Sequence, residues 1–276
     1  MVPRAVRRLL LTASLLLAAT VAAEDRPRPA RPDEVALFKA AMQNSRQDTE
    51  HWAYTETATQ HVSKGRQRGD TVFRFDPSKP YGDQFTPLLI EGKPPTERQL
   101  KDYRKRGERR GERVARAAEA AKNPAFVPPP ATLRIGGSRV TPDLEHPLVA
   151  REEEGRITFE VPVTSKRKDI PVDKFQVLIT VNRATRLPEN VMLRIRESFR
   201  VKLIAKIKEG EASMDFKVVD PQFAPVLAAM TGDFSASVLF IPVNGNFTRT
   251  RTEWKRVKSY DERLQVKIGP LQLLDF

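Results

Sequence analysis

The chain has 276 residues, long enough to bury the core of one large domain or two small ones. It carries 48 Lys and Arg against 35 Asp and Glu, a net charge of +13 that favours anionic partners. Cysteine is absent, which excludes disulfides, thiolate catalysis, cysteine-bound zinc and a lipid-modified N-terminal cysteine. With 39% hydrophobic and 30% charged residues, the composition indicates a globular protein with a strongly charged surface.

Residues 1–23 are typical of a cleavable secretory signal peptide. They comprise a basic start (Arg4, Arg7, Arg8), an apolar stretch (9–19) and a small-residue end (21–23). The apolar part is shorter than the ~20 residues that span a membrane. We therefore expect export to a bacterial periplasm, with a mature net charge of 13 − 3 = +10 and a polar N-terminus at 24–32.

Residues 33–95 predict a helix followed by the first strands of a sheet. Asp33 is the expected N-cap, and apolar residues recur at helical spacing as far as Met42. Alternation of apolar and polar residues then predicts strands at 52–61, 70–76 and 85–90.

Residues 96–123 predict a long basic helix that Thr96 caps and Pro124 ends. Its apolar residues are few, and we expect Gly107 and Gly111 to weaken its middle, leaving a projecting or frayed arm. Two interpretations stay open, a solvated charged face or a contact surface for an anionic partner. The candidate contact residues are Arg104, Arg106, Arg109, Arg110 and Arg113.

Residues 124–147 form a Pro- and Gly-rich linker, and 148–276 predict antiparallel hairpins that complete the same sheet. The clearest hairpin joins 175–181 to 191–196, because both arms alternate with a period of two. We also expect turns at 209–211 and at Asn244-Gly245, a helical turn within 220–231 and a last strand at 264–268.

The predicted fold is β-rich α+β, a strongly curved antiparallel sheet (half-barrel) with an N-terminal helix and a long basic helix. Helices that cover the apolar side of the sheet incompletely leave a groove for an apolar ligand. The candidate lining residues, each of which also fits a plain core, are Phe159, Val177, Ile179, Leu193, Leu203 and Phe216.

The export signal, the N-terminal helix, the aromatic strand from Trp52 and the segment Val181-Asn-Arg-Ala-Thr-Arg-Leu-Pro188 resemble the periplasmic lipoprotein-carrier (LolA-like) superfamily. There a turn of the form Asp-x-x-Thr-x-Leu-Pro recurs between strands, and here Asn182 replaces the aspartate. The resemblance covers residues 33–75 and 148–196. It implies an eleven-stranded half-barrel with a helical lid that binds acyl chains or a lipoprotein, although the carrier's lid arginine has no equivalent here.

No catalytic constellation is predicted. His51 and His61 are ten residues apart, about 33 Å on one strand, which is too far for a shared metal. Ser165 and Lys168 match a Ser-x-x-Lys spacing, but in a charged loop rather than on a helix. We therefore predict a protein without enzymatic activity, cofactor, metal or nucleic-acid partner.

Two functions remain open at this stage. The first is an exported periplasmic protein that binds or carries an apolar, lipid-type ligand or a lipoprotein on the sheet. In the first function the basic helix would meet an anionic membrane surface. The second is a structural or interaction module of the envelope, which docks through the basic helix on an acidic envelope protein or polymer.

Overall fold

The fold is that of a computed structural model of the chain, which describes residues 26–45, 48, 51–63, 68–123, 133–135, 138–165, 171–201, 205–238 and 241–264. The predicted signal peptide and Leu203 lie outside the described residues, as does all but the first residue of the strand expected at 264–268.

The described part of the chain contains fifteen strands and three α-helices. In order they are β1 (Arg28–Pro29), α1 (Pro32–Asn44), β2 (Trp52–Val62), β3 (Arg68–Phe75), β4 (Phe85–Leu89), α2 (Glu97–Ala121), β5 (Leu133–Ile135), β6 (Ser138–Pro142), β7 (Leu148–Glu153), β8 (Arg156–Glu160), β9 (Val163–Thr164), β10 (Phe175–Asn182), β11 (Leu187–Ile195), β12 (Phe199–Val201), β13 (Ala205–Lys217), β14 (Val226–Val238), β15 (Ile241–Arg256) and α3 (Tyr260–Leu264).

Twelve of these strands form one antiparallel sheet in the order β1-β7-β8-β10-β11-β13-β14-β15-β2-β3-β4, with β12 paired to β13. The long strand β15 pairs with β2 and so joins the end of the described chain to its first long strand. Strands β5, β6 and β9 form a small second sheet. The β-rich α+β class is confirmed, and because the described sheet is open, its curvature into a half-barrel stays a prediction.

Helix α1 begins one residue before the expected cap, at Pro32, with Arg31 as the N-cap. The reason is Glu34, whose carboxylate accepts a 2.7 Å hydrogen bond from the Arg31 backbone N–H and two 2.8 Å bonds from the Arg28 guanidinium. The hydrogen bonds from Arg28 are the main cause that lowers the pKa of Glu34 to about 2. Burial, which leaves 1% of the residue exposed, raises this pKa but is outweighed. The prediction that Asp33 caps this helix is therefore wrong.

The turns expected at 209–211 and at Asn244-Gly245 are also wrong, since β13 and β15 run through them. Gly245 lies directly opposite Phe234, and a Cβ on Gly245 would come within 2.5 Å of the Phe234 ring. Phe247 covers Gly232, its own cross-strand partner, in the same way. These glycines admit a ring from the neighbouring strand, so they serve packing inside a strand rather than a turn.

Two smaller expectations also differ from the structure. Strand β14 begins at Val226, within the segment where a helical turn was expected, and Leu264 ends α3 instead of opening a strand. The hairpin at 175–196 is confirmed as β10 and β11, whose residues pair from Phe175 and Ile195 inward.

Helix α2 is confirmed from its Thr96 cap, which accepts a hydrogen bond from the backbone N–H of Gln99, to its end at Ala121. Its glycines hold the helix against the 3₁₀ turn Tyr81–Asp83. Gly107 is buried, and a Cβ there would stand 2.2 Å from the Tyr81 carbonyl oxygen. At Gly111 a Cβ would stand 2.8 Å from the Tyr81 ring. The two residues expected to weaken the helix thus form its closest contact with the rest of the protein.

We expect Gly107→Ala to destabilise the protein, although alanine has the higher helix propensity. The methyl group collides with backbone, so the free energy of unfolding falls by about 1–3 kcal/mol and trypsin cleaves within α2 more rapidly. Urea denaturation and limited trypsin digestion measure the two effects. Ala117→Gly, in the exposed second half of α2, is the control and changes the free energy of unfolding by less; a stabilised Gly107→Ala protein contradicts the packing described for this glycine.

Candidate ligand-binding surface

Helix α1 covers one end of the sheet. Phe38 and Ala41 are fully buried, and the Phe38 ring lies 5.0 Å from that of Phe159. Around them the core takes residues from β7, β8 and β10. Three of the candidate lining residues, Phe159, Val177 and Ile179, belong to this buried core. Helix α1 covers these three residues. Their contact with a ligand stays a prediction.

The length of α1 limits how much of the sheet it covers. Its 13 residues span about 20 Å, which corresponds to roughly four strands at a spacing of 4.8 Å. Near its start, Glu34 binds Arg28 of the edge strand β1, and at its end the amide of Asn44 donates a hydrogen bond to the Arg186 carbonyl in the β10–β11 connection. Among the described residues, the hydrophobic side chains that pack on its core end with Val191 and Leu193 on β11.

Beyond β11 the same face of the sheet continues with methionines. Residues directly opposite each other on antiparallel strands share a face, and their register traces one line across six strands and onto a seventh. This line, which we call the central row, consists of Val149, Phe159, Ile179, Val191, Met214, Met230 and Arg249. Met214 and Met230 are partly exposed. The central row thus leaves the covered core, crosses an open apolar stretch and ends at a cation.

The remaining lining candidates lie beside this stretch or outside the described chain. Leu193 is partly buried next to the central row, opposite Ala212, and Phe216 follows Met214 by two residues on β13. Leu203 is outside the described residues. Met230 and Arg249 were missed from sequence, because only the register of β13, β14 and β15 aligns them with Ile179 and Val191.

The cation at the end of the central row lies beside a buried carboxylate. Glu56 is 3% exposed on its side chain and accepts a 2.8 Å hydrogen bond from Arg251, which also stacks 4.6 Å from the centroid of the Tyr54 ring. Arg249 approaches the other Glu56 oxygen only to 3.8 Å, and its side chain is 54% exposed. Two arginines therefore face one carboxylate, and the second charge is left near solvent.

At the far end of the sheet α2 inserts Arg110 between aromatic rings. Its guanidinium carbon lies 4.6 Å from the ring centroid of Phe85 and 5.6 Å from those of Phe75 and Tyr81, and it donates to Gln84. Burial lowers the pKa of Arg110 from its ordinary value. Of the five arginines predicted to contact an anionic partner, Arg110 is thus packed inside.

The other four arginines of that set are exposed on α2. Arg104 donates to Asp83 at 3.1 Å, and Arg106 lies over the Tyr103 ring. Arg109 and Arg113 are exposed, as is the whole stretch from residue 112 to 123. The contact of these side chains with an anionic partner stays a prediction.

Two of the three histidines, His51 and His146, pair with carboxylates at separate places in the described chain. His51 contacts Asp48 through one ring nitrogen and Glu262 of α3 through the other, at 2.7 Å. Burial disfavours the charged ring, but the two carboxylates outweigh it and raise the pKa of His51. His146 pairs with Asp143 in the linker. In the part of the chain that is described, no group of three or more His, Asp or Glu side chains could hold a metal ion.

A groove of about 920 Å³ lies elsewhere, from the end of β11 across β13, β14 and β15 to the end of β2. Its lining includes one cross-strand line of polar residues, Arg194, Glu211, Asp233, Asn246 and His61. The pair Arg194–Glu211 is closed at 2.8 Å. An apolar ligand here would remove carboxylates from water, which is unfavourable, so the central row suits such a ligand better despite the size of this groove.

Among the described residues, fold and surface together define a β-rich protein with one broad antiparallel sheet, whose apolar face is covered by α1 at one end and packed against Arg110 of α2 at the other. No protein-family model matches the chain. No curated protein matches it either. Among the helices in the described ranges, none combines the length and apolarity needed to cross a membrane.

Among solved structures, the chain is similar to a LolA superfamily protein from Nitrosomonas europaea. The TM-score is 0.33 and the sequence identity 9%, over 82% of this chain and 94% of that one. The similarity to this superfamily is thus a weak structural match, and at this level no residue role passes from that structure to this chain.

The two arginines at Glu56 are expected to contribute unequally to the free energy of unfolding. Arg251→Met leaves the buried carboxylate without its close partner, so we expect the free energy of unfolding to fall by about 3 kcal/mol. Adding Glu56→Gln to that variant removes the unpaired charge and restores most of the loss. Arg249→Met is the matched control, with a loss under about 1 kcal/mol because this pair is long and exposed. Urea denaturation decides, and equal losses at both arginines would falsify the assignment of Arg251 as the partner of Glu56.

Proposed function

We propose that the mature chain is an exported, non-catalytic binding protein that holds an apolar, lipid-type ligand along the open part of the central row. The observation that carries this proposal is the end of the α1 cover at β11, while Met214 and Met230 continue the apolar face. Apolar surface left open in the middle of a sheet serves a binding partner or invites aggregation. A ligand that is carried, or the acyl chains of a lipoprotein, would cover it.

The residues of this stretch suit an apolar chain of variable shape. Methionine side chains are flexible and polarizable, so Met214 and Met230 adapt to a ligand that has no fixed conformation. The Phe247 ring covers Gly232 beside them and adds aromatic surface to this stretch. Covering about 200 Å² of apolar ligand surface here contributes roughly 5 kcal/mol before the losses of association.

The location belongs to the proposal too. Export through the signal peptide at 1–23 would bring the chain to the periplasm, where lipids and lipoproteins in transit between membranes need shelter from water. The division at 33–95, 96–123, 124–147 and 148–276 remains part of the same proposal, with the first and last of these ranges contributing strands to one sheet.

We expect the mature protein to retain an apolar molecule on purification and to take up the neutral dye Nile red. Met214→Glu and Met230→Glu place a charge in the path of the ligand and weaken dye binding by about tenfold or more. Native mass spectrometry and dye fluorescence provide the measurements.

Met192→Glu is the matched control for this experiment, because Met192 is a partly exposed methionine of the same sheet on the opposite face, opposite Leu178 and Ser213. It leaves dye binding within twofold of the wild-type protein. A protein that carries no apolar molecule and takes up no dye, or equal losses in all three variants, rejects the proposed ligand surface.

The second candidate function, docking on an acidic partner through α2, is favoured by a different observation. The helix touches the protein through Gly107, Arg110 and Gly111, and its residues from 112 to 123 are exposed. The exposed side chains of Arg104, Arg106, Arg109 and Arg113 give this helix a basic surface that faces outward. The charge of this surface favours an anionic membrane or an acidic envelope protein.

We expect the double variant Arg109→Glu and Arg113→Glu to lose binding to immobilised polyglutamate and to phosphatidylglycerol vesicles by about tenfold at low salt. Lys206→Glu and Lys208→Glu, on exposed positions of β13, change the net charge equally and leave binding within about threefold. Co-sedimentation and column retention measure both. Equal losses in the two double variants would show that net charge alone, and not α2, governs the interaction.

A further inference from the structure

The central row ends at an arginine, and this indicates the polarity of the ligand. Arg249 lies directly opposite Met230 and is the last residue of the row before Ala58 of β2. Side chains opposite each other on adjacent strands have Cβ atoms about 5 Å apart, so an apolar chain resting on Met230 brings its end to the Arg249 guanidinium.

The charge of Arg249 is available to such a ligand. Glu56 is already held at 2.8 Å by Arg251, and its 3.8 Å approach to Arg249 is at the limit of an ion pair. Arg251 is committed to Glu56 and to the Tyr54 ring, and Arg110 to Gln84 and three aromatic rings. Of these three arginines, Arg249 is the one whose side chain is more than half exposed and whose ion pair with Glu56 is long, at 3.8 Å.

The open part of the row also has a definite length. From β11 to β15 it crosses three strand spacings, about 14 Å at 4.8 Å each. Because an extended zigzag of C–C bonds advances about 1.3 Å per methylene group, a hydrocarbon chain of roughly eleven methylene groups fills that distance. A longer chain would continue beneath the edge of α1, toward Leu37 and Met42, which pack against the core there.

We propose that the ligand of the central row is an anionic amphiphile, with an extended hydrocarbon chain on Val191, Met214 and Met230 and a carboxylate or phosphate head at Arg249. This inference rests on the proposed function and adds the polarity and direction of the ligand, whose chain points toward α1 and whose head points toward β15. Arg249 acts as a headgroup-recognition residue, since the guanidinium donates to an oxyanion but gains little from an uncharged hydroxyl.

The experiment compares two probes with the same chain, dodecanoate and dodecanol, as competitors of bound Nile red at pH 8 and below their aggregation concentrations. We expect Arg249→Gln to weaken displacement by dodecanoate about tenfold and to leave dodecanol within twofold, because glutamine removes the charge but keeps a polar side chain of similar reach. The matched control is Arg194→Gln. Arg194 is 49% exposed on the opposite face of β11. We expect Arg194→Gln to leave the displacement of Nile red by both probes within twofold of the wild-type protein.

The outcomes separate the two levels of the proposal. If the wild-type protein takes up no dye and carries no apolar molecule, the proposed function itself fails. The headgroup assignment is overturned, while the apolar surface stands, if the dye binds but neither probe displaces it. It is also overturned if Arg249→Gln weakens displacement by dodecanoate and by dodecanol equally, or weakens neither. Equal effects of Arg249→Gln and Arg194→Gln on dodecanoate also overturn it, because they indicate attraction by net charge only.

Discussion

The size of helix α1 relative to the sheet is the constraint from which the other features follow. The helix is held at its start by the buried Glu34 with Arg28 and Arg31, and in its middle by Phe38 on Phe159. With 13 residues it covers about four strands, whereas the main sheet has twelve. Every strand beyond β11 must therefore bury its apolar side chains by some other means, or leave them open.

The far end of the sheet uses arginines and aromatic rings in place of an aliphatic core. Arg110 and Arg251 stack on rings of β2, β3 and β4, and Arg256 lies 3.4 Å from the ring centroid of Phe223 while it donates to Asp48. A guanidinium covers a ring with its flat face and keeps hydrogen-bond donors at its rim, so it seals an edge close to water. The open stretch with Met214 and Met230 lies between these two differently built ends.

Sequence periodicity predicted what depends on neighbours along the chain. The alternation at 175–196 gave the β10–β11 hairpin, and Thr96 gave the start of α2, because both signals are local. The cap of α1 could not be read in this way, since Glu34 owes its role partly to Arg28 outside the helix. Gly245 was mistaken for a turn residue because its partner, the Phe234 ring, comes from another strand.

In the candidate site too, residues with a local sequence signal were predicted and residues placed by strand register were not. Leu193 and Phe216 were found from alternation, whereas Arg249 gains its place only from three successive strand registers that single-strand patterns do not contain. Phe159, Val177 and Ile179 were found as apolar positions, but alternation does not distinguish a covered residue from an open one. The position of α1 makes that distinction.

The contact that holds α2 depends on the absence of a side chain at two glycines of the helix. Gly107 and Gly111 let the helix backbone rest on Tyr81 and Gly82, and the side chains of Arg104 and Arg110 add contacts to the same region. The attachment and the outward charge are therefore encoded at separate positions. The outer residues of α2 can therefore change in charge without loosening the helix, whereas a side chain at either glycine would separate the helix from the turn beneath it.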